Sequence, residues 1–265
     1  PGKAPENAPR TGGEIAITPS ISGWHSTGLY AVAGEPITVT IPEKYADKGY
    51  AVRIGCHSDT LYHLDKWERA PDITRSDTLA TATTTTASAF GGLIYIEVPG
   101  RAKDDEPFTA AIKGGIAAPL FVLGKDDDAK WKEIRQRPAP WAEMACDKMI
   151  IICPTEVARQ INNPTELMTF WKAVVEAQDE VTNQATERKR PERIVADVQI
   201  SAGYMHSGYP IMIPTSAAPE MTTLTRLKFP GWGFYHEIGH NHQRRTFTFD
   251  GTGEVTNNVI GMYCY

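Results

Sequence analysis

Residues 231–243 read GWGFYHEIGHNHQ, and within them an H-E-x-x-H segment runs from His236 to His240. Because residues four apart lie on one face of a helix, the imidazoles of His236 and His240 can converge on a single metal ion. Glu237 is rotated by about 100° around the helix axis. It therefore lies beside the metal, where a carboxylate can hold and deprotonate a metal-bound water molecule. Pro230-Gly231 is a natural break before this helix. The segment predicts a helix that carries a metal-dependent hydrolytic site.

A catalytic zinc site needs a third protein ligand beside an open position for water. One known extension of the motif requires glycine at position 243, where this chain has Gln243, and that class is excluded. Three downstream candidates remain. His242 points to a different side of the helix, and Asp250 lies in a Phe-Asp-Gly-Thr-Gly stretch that is typical of a turn. Glu254 opens a predicted second helix, from which a carboxylate can reach back to complete a His, His, Glu set.

The composition is that of an ordinary globular protein, with 41% hydrophobic and 22% charged residues among 265. Lys and Arg number 27 against 32 Asp and Glu, which gives a formal net charge of −5. This acidic balance argues against a dedicated nucleic-acid binder, which would carry a basic patch. The longest apolar runs, such as residues 149–153, are far shorter than the ~20 residues that span a bilayer. We therefore predict a soluble protein with neither a nucleic-acid partner nor a membrane span.

The ends of the chain and its cysteines bear on where the protein works. The chain begins with Pro1 and no signal peptide follows, so we expect a processed or trimmed chain. An apolar stretch runs up to Tyr265, which predicts a segment of a longer protein, truncated at its C-terminus. The cysteines lack the Cys-x-x-Cys spacing of a zinc knuckle, and they predict either disulfides or buried thiols. They are Cys56, Cys146, Cys153 and Cys264.

Composition divides the chain into three parts. Residues 1–27 are interpreted as a tail or linker and lead-in, because the first dozen residues are rich in Pro, Gly and polar side chains. Residues 28–118 form a β-rich N-terminal region, with strands predicted at 36–41, 50–54 and 93–98. Residues 119–265 mix strands and helices and form the predicted catalytic region. The fold class is therefore predicted as α+β, a β-rich region followed by a mixed α/β zincin-type domain with the H-E-x-x-H helix.

The clearest helix of the second region is predicted to begin at Asn163-Pro164. Its spacing places Trp171 and Val181 on the buried face and Asp179 in water. Short strands are predicted at 121–123, 149–153 and 194–200, and the charged residues 186–193 are interpreted as a solvated loop. Residues 209–213 are apolar and bounded by prolines, which predicts an edge strand that could pair with an extended substrate.

Several segments resemble the enhancin-like, mucin-degrading zinc metallopeptidases. GWGFYHEIGHNHQ, followed by GTGEVTNNVIGMY, looks like the zinc signature of that family, and further segments are similar from about Gly28 onward. These are TGLYAVAGEPITV, AFGGLIYIEVPG, RPAPWAEM and GYMHSGYPIM. The resemblance implies that His236, His240 and Glu254 hold one catalytic zinc ion, with Glu237 as general base and acid. It also implies a helical C-terminal subdomain, for which this chain has too few residues after Glu254.

The resemblance further implies a secreted or cell-surface endopeptidase that cleaves O-glycosylated proteins such as mucins. Tyr204, His206 and Tyr209 are the candidates for an oxyanion donor or a substrate contact. Aromatic or hydrogen-bonding side chains could contact a sugar, and the candidates are Trp24, His25, Tyr95 and Trp141. The alternative hypothesis is a glycan- or mucin-binding module with a vestigial or incomplete protease site. A structural β-rich domain with a chance H-E-x-x-H segment is a third.

Overall fold

The computed structural model describes residues 2–186, 188–229 and 231–264. The chain forms two compact units. The first comprises Pro1–Ser58, Asp72–Leu120 and Ile134–Ala142, and the second comprises Asp59–Pro71, Phe121–Glu133 and Glu143–Tyr265. Each unit is described separately below.

The first unit is built around an antiparallel sheet. Among the described residues its strands are β1 (Thr11–Ile17), β2 (Gly23–Ala31), β3 (Ile37–Thr40), β4 (Ala51–Ile54), β5 (Arg75–Thr78), β6 (Thr83–Thr86), β7 (Gly92–Val98) and β8 (Phe108–Ala117). The order is β5-β4-β7-β2-β8-β3-β6, and β1 also pairs with β8. Apolar residues alternate along the strands, as Ile37 and Val39 do in β3, so that one face of each strand enters the core. Short 3₁₀ turns lie at Glu43–Tyr45 and Gly100–Asp104.

The second unit combines a sheet with helices. Its strands are β9 (Leu120–Val122), β10 (Trp141–Ala145), β11 (Met149–Pro154), β12 (Glu192–Asp197) and β13 (Ile211–Pro214), in the order β13-β12-β11-β10-β9. The helices are α1 (Asp128–Ile134), α2 (Thr155–Ala158), α3 (Pro164–Val181), α4 (Ala218–Met221), α5 (Leu224–Lys228), α6 (Trp232–His242) and α7 (Gly253–Met262), with a 3₁₀ turn at Thr215–Ala217. Strands β11, β12 and β13 run parallel and are buried nearly throughout, as strands covered on both faces are, although β12 carries charged residues at Glu192, Arg193 and Asp197. The predicted α+β class, with its β-rich N-terminal region, is confirmed.

Helix α3 begins at Pro164 as predicted, but the predicted directions of two of its side chains are wrong. Asp179 is 1% exposed instead of facing water, and Val181 is 40% exposed. Asp179 accepts hydrogen bonds from Lys148, at 3.1 Å, and from Arg188. The prediction that residues 186–193 are solvated also fails at Arg188, whose side chain is only 10% exposed; Glu187 lies outside the described residues. Helical periodicity cannot reveal an acid that is buried because distant cations neutralise it.

The cysteines are free thiols. Cys56, Cys146 and Cys153 are buried, and Cys264 is partly exposed. Of the two alternatives that the sequence leaves open, disulfides or buried thiols, the structure therefore shows thiols. In the part of the chain that the structure describes, no helix is both long and apolar enough to cross a membrane.

Candidate active site

Helix α6 carries the H-E-x-x-H segment and is anchored by its apolar side. Phe234, Tyr235 and Ile238 are buried, and the ring of Phe234 packs against Trp171 of α3 at 5.9 Å between centroids. The Tyr235 hydroxyl donates a hydrogen bond of 2.7 Å to the carbonyl of Leu227. The helix begins at Trp232, directly after Gly231 of the predicted break. The other residue of that break, Pro230, lies outside the described residues. Because this side of α6 is fixed, the other side presents its histidines in a defined orientation.

Helix α7 packs closely on α6 at a glycine. A Cβ atom added to Gly239 would lie 2.2 Å from Oδ1 of Asn257, well inside van der Waals contact. Asn257 is fully buried, and its amide nitrogen donates a hydrogen bond of 2.9 Å to the carbonyl of His236. The glycine in the motif therefore allows α7, which carries Glu254 in its first turn, to approach the two histidines.

Three potential metal ligands meet between α6 and α7. Nε2 of His236 lies 3.1 Å from Nε2 of His240 and 2.9 Å from Oε2 of Glu254. Nε2 of His240 lies 3.5 Å from the same carboxylate oxygen. Ligand atoms 2.0–2.2 Å from a tetrahedral zinc ion lie about 3.3 Å from one another. The spacing and the chemistry of this set, two imidazoles and a carboxylate, therefore fit one zinc ion. Glu254 is an exposed residue, so this side of the site is open.

Amide oxygens hold the other ring nitrogens of both histidines. Nδ1 of His240 lies 2.9 Å from Oε1 of Gln243, and Nδ1 of His236 lies 3.2 Å from Oδ1 of Asn258. Because an amide oxygen only accepts hydrogen bonds, each Nδ1 carries the proton and each Nε2 keeps the lone pair that a metal needs. Sequence reasoning missed both roles. The sequence marks Gln243 only as the residue that stands where the longer motif has a glycine. Asn258, four residues after Glu254, has no feature in a single sequence that identifies it as the partner of a ligand.

Glu237 lies on α6 next to the proposed ligands and is half-buried. Partial burial raises the pKa of its carboxyl above the ordinary value, and the nearby His236 and His240 oppose this shift only in part. His242 is buried and lies on a different side of the helix, as predicted. Its Nε2 lies 3.0 Å from Asp179 and its Nδ1 2.8 Å from the carbonyl of Ile238. Both nitrogens of His242 are thus engaged away from the proposed metal ligands. Asp250 lies in a turn.

A loop before β13 runs beside α6. Gly208 donates a hydrogen bond of 3.0 Å to Oδ1 of Asn241 and accepts one of 2.9 Å from its Nδ2. Nδ2 of Asn241 also contacts Glu192, at 2.8 Å. At the other end of the loop, Sδ of Met205 lies 3.2 Å from the position that a Cβ of Gly233 would occupy. Residues 205–208 are therefore fixed against the helix that carries the histidines.

The three predicted substrate contacts lie in or next to this loop. They differ in how exposed their side chains are and in the contacts that they already make. Tyr204 is 64% exposed. Tyr209 lies under the guanidinium of Arg190, 4.0 Å from its ring centroid. His206 contacts Asp59 at 2.8 Å through Nε2 and the carbonyl of Ser207 at 2.9 Å through Nδ1. Since both of its ring nitrogens face acceptors, the imidazolium form is favoured, and the hydrogen bond with Asp59 raises the pKa of His206. Both ring nitrogens of His206 are thus engaged within the protein.

The expected pairing of substrate with residues 209–213 does not agree with the structure. Strand β13 lies at the end of the sheet order, but Met212 exchanges two backbone hydrogen bonds with His206, of 3.1 and 3.0 Å. Backbone groups alternate in direction along a strand, so the neighbouring outward positions are Pro210 and Pro214. Proline has no N–H. The outer edge of β13 therefore has no free amide donor at these three positions.

The four predicted sugar contacts are buried or engaged with other residues of the protein. Tyr95 and Trp141 are buried. The guanidinium of Arg53 lies 4.0 Å from the ring centroid of Trp24, and Nε2 of His25 lies 2.8 Å from the carbonyl of Ile21. Sequence reasoning did not single out Tyr62 and Trp67 of the second unit, which are 68% and 55% exposed. No pattern in a single sequence distinguishes an exposed aromatic side chain in a loop from a buried one.

Comparison with known proteins identifies related sequences and folds. The profile of the M60 peptidases, enhancin and enhancin-like, matches residues 114–265, and that of the N-terminal domain of M60-like peptidases matches residues 6–113. TRPM8 channel-associated factor 2 of Mus musculus is 37% identical over 263 residues, which cover 95% of this chain and 28% of that protein. The chain thus spans less than a third of the length of this relative.

Solved structures share the fold at low sequence identity. A conserved protein of unknown function from Bacillus anthracis superposes with a TM-score of 0.78 and 21% identity, over 96% of this chain and 55% of that chain. IMPa from Pseudomonas aeruginosa, solved in complex with an O-glycopeptide, superposes with a TM-score of 0.68 and 17% identity, over 98% of this chain and 34% of that chain. At such identities the likeness concerns the fold alone.

Proposed function

We propose, because the chain belongs to the M60 family of enhancin and enhancin-like peptidases, that it is a zinc-dependent endopeptidase acting on O-glycosylated, mucin-type proteins. The observation that carries the proposal is the convergence of His236, His240 and Glu254 on one point beside Glu237. Without Glu254 from α7, helix α6 would offer only two histidine ligands.

The site residues divide the chemistry among them. His236, His240 and Glu254 would hold the zinc ion. When bound, zinc supplies a Lewis acid that polarises the scissile carbonyl and lowers the pKa of a water molecule towards 7. Glu237 accepts the proton of the attacking water and transfers it to the leaving amine. Partial burial raises the pKa of Glu237, and a carboxylate with a higher proton affinity is a stronger base in the first of these steps. Gln243 and Asn258 orient the imidazoles through Nδ1.

The glycoprotein substrate and its location belong to the proposal. The structural neighbour IMPa was solved with an O-glycopeptide, and the sequence resembles mucin-degrading enzymes over most of its length. Such substrates are found outside the cell, so we propose a secreted or cell-surface enzyme. The alternative is a glycan-binding module that does not hydrolyse peptides. A role without hydrolysis is favoured by the similarity to a protein named for its association with a channel rather than for proteolysis.

The proposal is tested by comparing peptide cleavage by the chain with cleavage by a variant that lacks the Glu237 carboxylate. The zinc-loaded chain and its Glu237→Gln variant are incubated with a peptide that carries one O-linked sugar and with the bare peptide, and products are identified by mass spectrometry. We expect cleavage of the glycopeptide only, and a rate about 10²–10⁴-fold lower for Glu237→Gln, with zinc content unchanged by elemental analysis. Equal cleavage by both proteins would remove Glu237 from the mechanism. Stoichiometric zinc with no cleavage of either peptide would favour the binding module.

A further inference from the structure

The loop that precedes β13 crosses the face of α6 that carries Glu237. Three residues of α6 are spaced four apart and lie on this face: Gly233, Glu237 and Asn241. Met205 lies against Gly233, with its Sδ 3.2 Å from the position of a Cβ there, and Gly208 is hydrogen-bonded to Asn241 through both its amide and its carbonyl. His206, between these two fixed ends, therefore passes the helix at the level of Glu237. The charges of His206 and Glu237 act on each other, in agreement with this placement.

The contacts of His206 hold its ring as a cation. Nε2 lies 2.8 Å from the carboxylate of Asp59 and 3.2 Å from the hydroxyl of Ser201, and Nδ1 lies 2.9 Å from the carbonyl of Ser207. A carboxylate and a carbonyl only accept hydrogen bonds, so both ring nitrogens carry protons and the imidazolium is the form that satisfies the site. The hydrogen bond with Asp59 raises the pKa of His206, although partial burial opposes this shift. Of the described residues, Asp59 and Glu237 are the charged groups that act on His206.

Asp59 is held in place by contacts other than the one with His206. Its carboxylate accepts a hydrogen bond of 2.6 Å from the amide of Ser201, and its carbonyl accepts one of 3.0 Å from Arg69. Arg69 in turn forms an ion pair of 2.8 Å with the buried Asp197, so the charges of that pair offset each other. The segment that carries Asp59 and Arg69 belongs to the second unit, although in the chain it lies between strands β4 and β5 of the first. The carboxylate that holds His206 therefore comes from a distant part of the sequence and has a fixed position.

A fixed cation next to Glu237 bears on the chemistry of the proposed site. Hydrolysis of a peptide bond places negative charge on the oxygen of the attacked carbonyl in the transition state, and a preorganised positive charge stabilises it without reorientation. In a partly buried site this attraction is screened less than in water. Because both N–H groups of His206 are engaged, the residue acts through its charge and not as a hydrogen-bond donor. On the premise of the proposed function, we infer that Asp59 is a positioning residue for hydrolysis, which holds the His206 imidazolium next to Glu237 so that its charge stabilises the transition state.

The dependence of cleavage on pH tests this inference. The kcat and KM of the zinc-loaded chain and of Asp59→Asn are measured with the O-glycopeptide between about pH 5 and about pH 9, and NMR titration of the His206 ring gives its pKa in the metal-free proteins. Without the carboxylate, His206 loses its proton at lower pH, so we expect the decline of kcat on the alkaline side to move down by about one pH unit and kcat at about pH 8 to fall about tenfold. KM, zinc content and the rate in mild acid, where His206 is protonated in both proteins, should stay close to those of the parent chain. Asp65→Asn is the matched control, because Asp65 is an exposed acid of the same segment.

A double variant separates this role from a purely structural one. His206→Gln removes the charge and should lower kcat about tenfold, and Asp59→Asn should cause no further loss in that background, because Asp59 acts through His206. Additive losses, equal losses at every pH, or an unchanged pH profile of Asp59→Asn in a chain that cleaves the peptide would each overturn the inference alone. No cleavage by the parent chain at any pH would overturn the proposed function and, with it, this role. Circular dichroism verifies that the variants are folded, and Asp59→Glu, which retains a carboxylate, should restore part of the profile.

Discussion

Gln243 connects both helices of the proposed zinc site through one side chain. Its Oε1 faces Nδ1 of His240, and its Nε2 donates hydrogen bonds to the carbonyl of Gly253, at 2.5 Å, and to the hydroxyl of Thr256, at 2.8 Å. It therefore orients a ligand on α6 and also holds the first turn of α7, which carries Glu254. A residue in this position affects the metal without touching it.

We expect Gln243→Ala to lower the zinc affinity about 10–100-fold, as is usual when the partner of a ligating histidine is removed. Competition with a chromogenic chelator measures the affinity. Arg245→Ala serves as the control, since Arg245 is exposed and only two residues away. An affinity equal to that of the parent chain would show that the imidazole of His240 is oriented by other contacts.

The pair of His206 and Asp59 predicts a specific dependence of stability on pH. The hydrogen bond with Asp59 raises the pKa of His206 above its ordinary 6.5. The stabilisation by His206 is therefore complete below about pH 6.5 and is lost as the pH rises through the folded pKa. Burial alone would raise the pKa of the Asp59 carboxyl, but the hydrogen bonds from His206 and Ser201 outweigh this effect and lower the pKa below 3.8. Its stabilisation is present above about pH 3.8 and is lost in stronger acid.

Asp59→Asn should accordingly reduce the free energy of unfolding by about 1–2 kcal/mol between pH 4 and 6.5, and by less at higher pH. Glu237 is the other charged group that acts on His206, and it is present in both proteins. Urea unfolding at a series of pH values, with a chelator to remove metal, gives the difference. A difference that grows between pH 7 and 9 would contradict the pairing.

At the scale of elements, the contact of α6 with α7 depends on Gly239. Asn257 cannot move aside easily, because it is fully buried and hydrogen-bonded to the carbonyl of His236. We expect Gly239→Ala to destabilise the fold by about 1–3 kcal/mol and to weaken zinc binding as Glu254 is displaced. Thermal unfolding with and without zinc measures both effects.

Gly261→Ala is the matched control in the same helix pair. A Cβ there would meet Trp232 at 3.6 Å, an ordinary contact, so the variant should be neutral or more stable by about 0.5–1 kcal/mol. Equal destabilisation by both alanines would mean that the close approach at Gly239 is not what limits the packing.

The same elements show how far a single sequence predicts the fold and the site. The H-E-x-x-H helix, the start of α3 at Pro164 and the short apolar strands follow from local periodicity and from proline positions. The burial of Asp179 does not, because it depends on Lys148, Arg188 and His242, which are distant in sequence. The same holds for the exposed ring of Trp67. The spacing of residues in a sequence predicts neither the pairing of side chains that are distant in sequence nor the exposure of side chains in loops.

At the scale of the whole molecule, the thiols report on the integrity of both units. Complete burial raises the pKa of Cys153 to about 12, and burial also raises the pKa of Cys146 and Cys264. Cys264 is nevertheless partly exposed. We expect iodoacetamide at pH 8 to label Cys264 first in the native chain and all of the cysteines after unfolding, as counted by mass spectrometry. A reductant should leave the melting temperature unchanged, whereas a decrease would indicate a disulfide.

The two prolines and the His206 bridge at β13 also affect how copies of the chain behave towards each other. An exposed strand edge with free amide groups is a template on which another chain can add, which leads to aggregation. At this end of the sheet, Pro210 and Pro214 have no N–H, and the amide of Met212 is already bonded to His206. Edge-to-edge growth of the sheet through β13 is thereby disfavoured, because a second chain would find no free amide at these three positions.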